Sequence, residues 1–204
     1  MQWTAKLDGH DIVATGEQLD AFKQAYVGGD LASRMSDLLT FDMYVLDAAF
    51  GVSPHEVLSA IKNVEDGEPH NGVKPATQFR RPPLQGLWHK HYFSAHFLAK
   101  NMQLALGNNG LENLISEVFD PSRPIITEDM IKELAHRITH EPVEKRDADG
   151  KLTGEWVVYV KHDNKNYYLA LNTHDAGDQF VYDRIMEHCP KNFPDLQNWI
   201  AAGT

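Results

Sequence analysis

Two apolar runs in the last quarter of the chain constrain its fold more than any other feature. Residues 155–162 read EWVVYVKH and residues 165–173 read KNYYLALNT, and both runs are rich in β-branched and aromatic residues that favour strands. Asp163 and Asn164, which separate the runs, suit a two-residue turn. The sequence therefore predicts an antiparallel β-hairpin over residues 155–173.

The rest of the chain carries mainly helical signals. Thr15, with Gln18 three residues later, resembles a capping box at the start of an apolar-periodic segment, and Ser53 suits the cap of a further helix. The dipeptide Asp8-Gly9 lies between two short runs and predicts a tight amino-terminal hairpin. We therefore expect an α+β fold, mainly helical, with a carboxyl-terminal antiparallel hairpin and a short amino-terminal one.

Composition limits the size and class of the protein. With 204 residues and 42% hydrophobic content, residues 1–204 are expected to form a single globular domain. A net charge of -10 opposes a broad basic surface for duplex DNA. The one cysteine, Cys189, excludes an internal disulfide framework and fits a reducing compartment. No apolar run is long enough to span a bilayer, so we expect a cytoplasmic protein with no membrane partner.

The middle of the chain combines cations, prolines and histidines. Residues 64–86 are rich in proline and glycine, which predicts a basic loop. Residues 87–106 are predicted to form a helix that is apolar around most of its circumference. On that helix His89, His96 and Lys100 would share one face, because residues seven apart return to nearly the same side. We expect this polar stripe to face a cleft.

These histidines and cations favour a ribonuclease-like protein that cleaves RNA phosphodiester bonds without a metal or other cofactor. In such a reaction one group removes the 2′-OH proton, another protonates the leaving oxygen, and cations hold the phosphate charge. Histidine suits both proton transfers because its pKa lies near neutrality. The candidate catalytic residues are His89, His96, His174, Lys100 and Tyr92, and the candidate phosphate-binding residues are Arg80, Arg81, Lys74 and Lys90. The outline of helices with an antiparallel hairpin also resembles the small ribonuclease toxins of bacteria, as a likeness of shape and not of motif.

A metal-dependent hydrolase is the first alternative, in which a divalent metal bound by histidines activates water. A His-X-His pair on an extended segment would place both side chains on one side, whereas on a helix His89 and His91 diverge. No HExxH or other standard zinc spacing occurs. The candidate ligands are His89, His91, His96, His174 and Asp178.

A non-catalytic binding protein is the second alternative. In that case the histidines, His91 above all, would stabilise a polar core, and the acidic surface would engage a basic protein partner. A protein partner or inhibitor is also compatible with the ribonuclease. The acidity of the chain supports this alternative, and the clustering of cations in one segment of an otherwise acidic chain argues against it.

Overall fold

The structure is a computed structural model of the chain. It describes residues 2–7, 9–67, 75–92, 107, 109–119, 127–139, 155–173 and 176–203. Contacts divide the chain into two compact units. The first contains Met1–Phe93 and Gly154–Thr204, and the second contains Ser94–Thr153.

The first unit opens with the predicted amino-terminal hairpin. Strand β1 (Gln2–Leu7) pairs antiparallel with strand β2 (His10–Thr15), and helix α1 (Gly16–Tyr26) follows at once. The capping box is formed as expected: the Thr15 N–H donates to Gln18 Oε1 at 2.8 Å, and the Gln18 N–H donates to Thr15 Oγ1 at 3.2 Å. The hairpin and the start of the first helix are therefore confirmed.

Three further helices precede the main sheet, namely α2 (Gly29–Ser33), α3 (Asp37–Phe50) and α4 (Pro54–Asp66). Ser36 caps α3 through a bond from the Leu39 N–H, and Ser53 caps α4 as the sequence indicates. Gly51 ends α3 with φ of 63°, a left-handed conformation that glycine adopts without steric cost.

The main sheet has four antiparallel strands in the order β3-β4-β5-β6: β3 (Thr77–Gln78), β4 (Trp88–Tyr92), β5 (Glu155–His162) and β6 (Lys165–Thr173). Asp163 and Asn164 turn between the last two strands with φ of 48° and 59°. The predicted carboxyl-terminal hairpin is therefore confirmed. Next to β6, Met35 forms a parallel bridge with Tyr168, so the connection between α2 and α3 covers that edge of the sheet.

The predicted histidine helix over residues 87–106 is wrong at its start, because Trp88–Tyr92 is strand β4. Each residue of this strand pairs with β5, for example His89 with Val158 and His91 with Trp156. Alternating aromatic and long side chains suit a pleated strand, and pairing along its whole length outweighs a histidine spacing that also fits a helix. Residues 93–106 lie outside the described residues.

The predicted loop over residues 64–86 is also partly regular. Its first three residues, 64–66, complete α4, and Thr77–Gln78 form β3. Residues 68–74 lie outside the described part of the chain. The predicted carboxyl end of the loop agrees with the start of β4 at Trp88, whereas its start was set three residues too early and the short strand β3 within it was missed.

The carboxyl-terminal part of the first unit is helical. Helix α7 (Asp178–His188) leads through a short 3-10 turn (Cys189–Lys191) to helix α8 (Leu196–Ala202). Strand β5 is buried on both faces: Val157 and Tyr159 contact the core formed with α3 and α4, whereas Val158 and Val160 contact the core formed with the carboxyl-terminal helices. The sheet therefore separates two apolar layers.

The second unit is described over two helices, α5 (Gly110–Val118) and α6 (Glu128–Thr139). Arg137 Nη2 lies 2.7 Å from Glu117 Oε2 and joins the two helices. The predicted fold class, mainly helical α+β with both hairpins, is confirmed, and the single-domain boundary of 1–204 stays a prediction. None of the described helices combines the length and the apolar character needed to cross a bilayer.

Candidate functional site

Two histidines occupy the same face of β4. His89 and His91 are two residues apart on a strand, and alternate residues of a strand face the same side. Their ring centroids lie 5.5 Å apart, and both side chains are partly exposed. The His-X-His geometry that the sequence allowed on an extended segment is therefore the one observed, although the helix prediction had separated the two rings.

Aromatic rings surround this pair. The ring of Phe79 packs at 4.5 Å from that of His89, and the indole of Trp156 lies 5.0 Å from His89 and 6.2 Å from His91. We call these four residues the histidine cluster. Imidazole side chains can in general take part in proton transfer, and here two of them are held side by side by packed aromatic rings.

The predicted phosphate-binding residues do not form one group in the described structure. Arg80 and Arg81 are exposed and directly follow Phe79 along the chain, so they lie beside the histidine cluster in sequence and carry charge that a phosphate could reach. Lys90 lies between the two histidines and therefore faces the opposite side of β4, where it is 2% exposed. Lys74 lies outside the described residues.

A cavity of about 420 Å³ in the first unit contains a buried acid–base network. The Tyr92 hydroxyl donates a hydrogen bond to Glu155. Burial, and the negative charge of Glu155, raise the pKa of Tyr92 well above its usual value, so the phenol stays protonated. Tyr92, a predicted catalytic residue, is thus committed to a carboxylate inside the protein rather than presented with the histidine cluster.

The same cavity contains an ion pair. Arg184 Nη2 donates to Asp42 Oδ1, and the Leu171 N–H donates to Asp42 Oδ2 at 2.9 Å. Burial raises the pKa of Asp42 although Arg184 and the backbone bond oppose the change. A carboxylate held in this way ties α3 to β6 and α7, and its role is most simply explained as structural.

The sequence gives no signal for Glu56, whose place in the first turn of α4 is typical of a surface residue. The structure places this residue in a second cavity of about 400 Å³, with His55, Ser59, Ala60, Asn63, His91 and Tyr92. Its Oε2 atom is buried and accepts no hydrogen bond within the described ranges. A buried acceptor without a partner is uncommon and needs an explanation. The contact between α4 and β4 that creates this site has no sequence signal, because the two elements are far apart along the chain.

Three predicted catalytic residues, His96, Lys100 and His174, lie outside the described residues, so their juxtaposition with His89 stays a prediction. Asp178 is exposed in the first turn of α7. In the part of the chain that the structure describes, no group of three or more His, Cys, Asp or Glu side chains could hold a metal ion. The metal alternative therefore also stays a prediction, since two of its five ligands are His96 and His174.

Comparison with known proteins gives no relative from which a function could be transferred. No family model matches the chain, and neither a curated protein nor a solved structure matches it. A functional assignment therefore depends on the chemistry of its own residues.

Proposed function

We propose that the protein cleaves single-stranded RNA without a metal, using His89 and His91 as the acid–base pair. The observation that carries the proposal is the distance of 5.5 Å between the two partly exposed imidazole rings. At this separation one ring can contact the 2′-OH of a ribose while the other contacts the leaving oxygen on the adjacent phosphorus.

The reaction needs one imidazole of the pair as the base and the other as the acid. The base accepts the 2′-OH proton as the 2′ oxygen bonds to phosphorus, and the acid gives its proton to the 5′ oxygen as the phosphorus–oxygen bond breaks. The products are a 2′,3′-cyclic phosphate and a free 5′-OH end.

Binding of the substrate uses the neighbours of the pair. Phe79 is partly exposed and offers a ring on which a base could stack, and Arg80 and Arg81 offer exposed cations for the backbone phosphates. Trp156 belongs to the buried core and supports the two histidines from below. A local cationic segment lets an acidic protein bind RNA without a broad basic surface. In this arrangement Lys90 does not contact the scissile phosphate, because it lies on the other face of the strand.

The test measures cleavage of a labelled single-stranded RNA by purified protein in the presence of EDTA. We expect cleavage to survive EDTA and to fall by about 10²-fold or more in each of His89→Gln and His91→Gln, because general acid–base catalysis contributes about this much. His10→Gln is the matched control, since His10 is exposed on the small amino-terminal sheet and should leave the rate unchanged.

The controls separate folding from catalysis. His89 packs against Phe79 and Trp156, so far-ultraviolet circular dichroism and thermal unfolding must show that each variant folds. Cleavage that EDTA abolishes would favour the metal-dependent alternative. If the RNA stays intact with the wild-type protein and with every variant, both enzyme hypotheses are contradicted and the acidic binding protein is favoured.

A further inference from the structure

A third cavity, of about 260 Å³, lies on the opposite side of β4 from the histidine cluster. It is formed within the first unit by the end of α4, the segment before β3, and strands β4 and β5. Its lining residues are Asn63, Val64, Gly67, Pro75, Ala76, Lys90, Tyr159 and Lys161. At this volume the cavity is smaller than the sites of about 300–1,000 Å³ that hold drug-sized ligands, so it suits a small group.

Two lysines line this cavity. Lys90 is 2% exposed, and burial lowers the pKa of its amine. Lys161 Nζ lies 3.9 Å above the centroid of the Trp88 ring, and this cation–π contact holds its ammonium group in place. The Lys161 ammonium can form a charge-assisted hydrogen bond with an anion placed in the cavity.

Tyr159 supplies an independent sign of a ligand. The residue is fully buried and lines the cavity, yet its hydroxyl forms no hydrogen bond with any described residue. The adjacent Tyr168, by contrast, donates to Glu65 at 2.6 Å. Burial raises the pKa of Tyr159, so its hydroxyl stays protonated and can donate to an acceptor placed in the cavity.

Among the described residues, the carboxylate whose charge acts on Tyr159 is already paired with a cation. Glu65 contributes to the raised pKa of Tyr159, but both of its carboxylate oxygens accept from Arg34, at 2.6 and 3.0 Å. The carboxyl end of α4 also adds a partial negative charge, which is small beside two ammonium groups. The lining given by the described residues therefore contains donors and cations, with the Asn63 amide as a further donor.

We propose that this cavity binds a phosphate group, either free inorganic phosphate or the phosphate of a nucleoside monophosphate. Two lysine ammoniums and a phenol match the several acceptor oxygens of a phosphate, and the small volume limits how much more of the ligand can enter. The site is separate from the histidine cluster, because the two lie on opposite sides of β4. It does not depend on whether the protein cleaves RNA.

The experiment is isothermal titration calorimetry of the full chain with sodium phosphate and with adenosine 5′-monophosphate, at constant ionic strength maintained with chloride. We expect saturable binding of phosphate that weakens about tenfold in Tyr159→Phe and in Lys161→Gln, since each loses one charge-assisted hydrogen bond. Tighter binding of the nucleotide would identify a nucleoside monophosphate as the ligand, and equal or weaker binding would identify free phosphate.

Tyr168→Phe is the matched control. It also removes one buried tyrosine hydroxyl, but that hydroxyl is bonded to Glu65, so this variant should lose stability and keep its phosphate affinity. Tyr159→Phe should fold normally because it removes no bond to a described residue. Absence of saturable binding to the wild-type protein, or equal affinity in Tyr159→Phe and wild type, would overturn the proposal.

Discussion

A bidentate ion pair ties distant parts of the first unit together, and its removal gives a quantitative test of the fold. Arg34 Nη2 lies 2.6 Å from Glu65 Oε2, and Arg34 Nη1 lies 3.0 Å from Glu65 Oε1. The Tyr168 hydroxyl and the Asn166 amide also donate to Glu65 Oε1, at 2.6 and 2.9 Å. One carboxylate thus links the end of α2, the end of α4 and strand β6.

The perturbation is Glu65→Gln, which keeps the size of the side chain and removes its charge. The hydrogen bonds from Arg34, Tyr168 and Asn166 lower the pKa of Glu65 from 4.5 to about 2, although partial burial opposes them. This difference between the unfolded-state and folded-state pKa values of Glu65 corresponds to about 3 kcal/mol of stability. Since 27% of the side chain is exposed, solvent screening reduces this contribution, and we expect about 2 kcal/mol. Asp30 still accepts from Arg34 Nε at 2.9 Å in the variant and limits the loss.

The pH dependence has a definite sign. The folded-state pKa of Glu65 is depressed, so its contribution is fully present above about pH 4.5 and is lost as the pH falls towards 2. The wild-type protein should therefore lose more stability between pH 5 and pH 3 than Glu65→Gln does. This comparison isolates Glu65, because the other carboxylates titrate in both proteins.

Urea unfolding followed by tryptophan fluorescence measures both effects, since the chain has four tryptophans. Glu17→Gln, at an exposed position in the first turn of α1, is the control and should change the free energy of unfolding by less than about 1 kcal/mol. The reasoning is refuted if Glu65→Gln and the control are equally stable at pH 7, or if Glu65→Gln loses as much stability on acidification as the wild type.

Two further predictions concern Cys189 and Thr15. Burial raises the pKa of the Cys189 thiol to about 12, so iodoacetamide should leave it unmodified in the native protein and alkylate it in urea, as read by intact mass. Rapid alkylation of the native protein would contradict its burial. Thr15→Ala removes the side-chain acceptor of the capping box and should cost about 1 kcal/mol in urea unfolding, whereas an unchanged midpoint would show that α1 does not depend on its cap.

The elements that could be predicted from the sequence are those with strong local signals. The hairpin around Asp163 and Asn164 was located to the residue, because strand composition and turn residues agree. The Thr15 capping box was found for the same reason, since both of its partners lie within four residues. The structure of a segment can be predicted without knowledge of the tertiary fold when its local signals all favour the same structure.

The strand at Trp88–Tyr92 shows the opposite case. Its histidines fit a helical spacing with residues further along, and the signal that decides the matter is its pairing with β5, more than sixty residues away. The proposed pair of His89 and His91 therefore became visible only when the strand was known. Glu56 was missed for a related reason: its first-turn position indicates a surface residue, whereas the packing of α4 near β4 buries one of its oxygens.

The most direct test of the central claim is the pH dependence of RNA cleavage with EDTA present. If one of His89 and His91 is the base and the other the acid, the wild-type rate should follow a bell-shaped curve near neutral pH, because the two imidazoles must be in opposite protonation states. His89→Gln and His91→Gln should each lose one limb of the curve, a different limb in each variant, and both rates should fall; the variant without the acidic limb identifies the base. A bell-shaped curve of unchanged height in either variant would contradict the account.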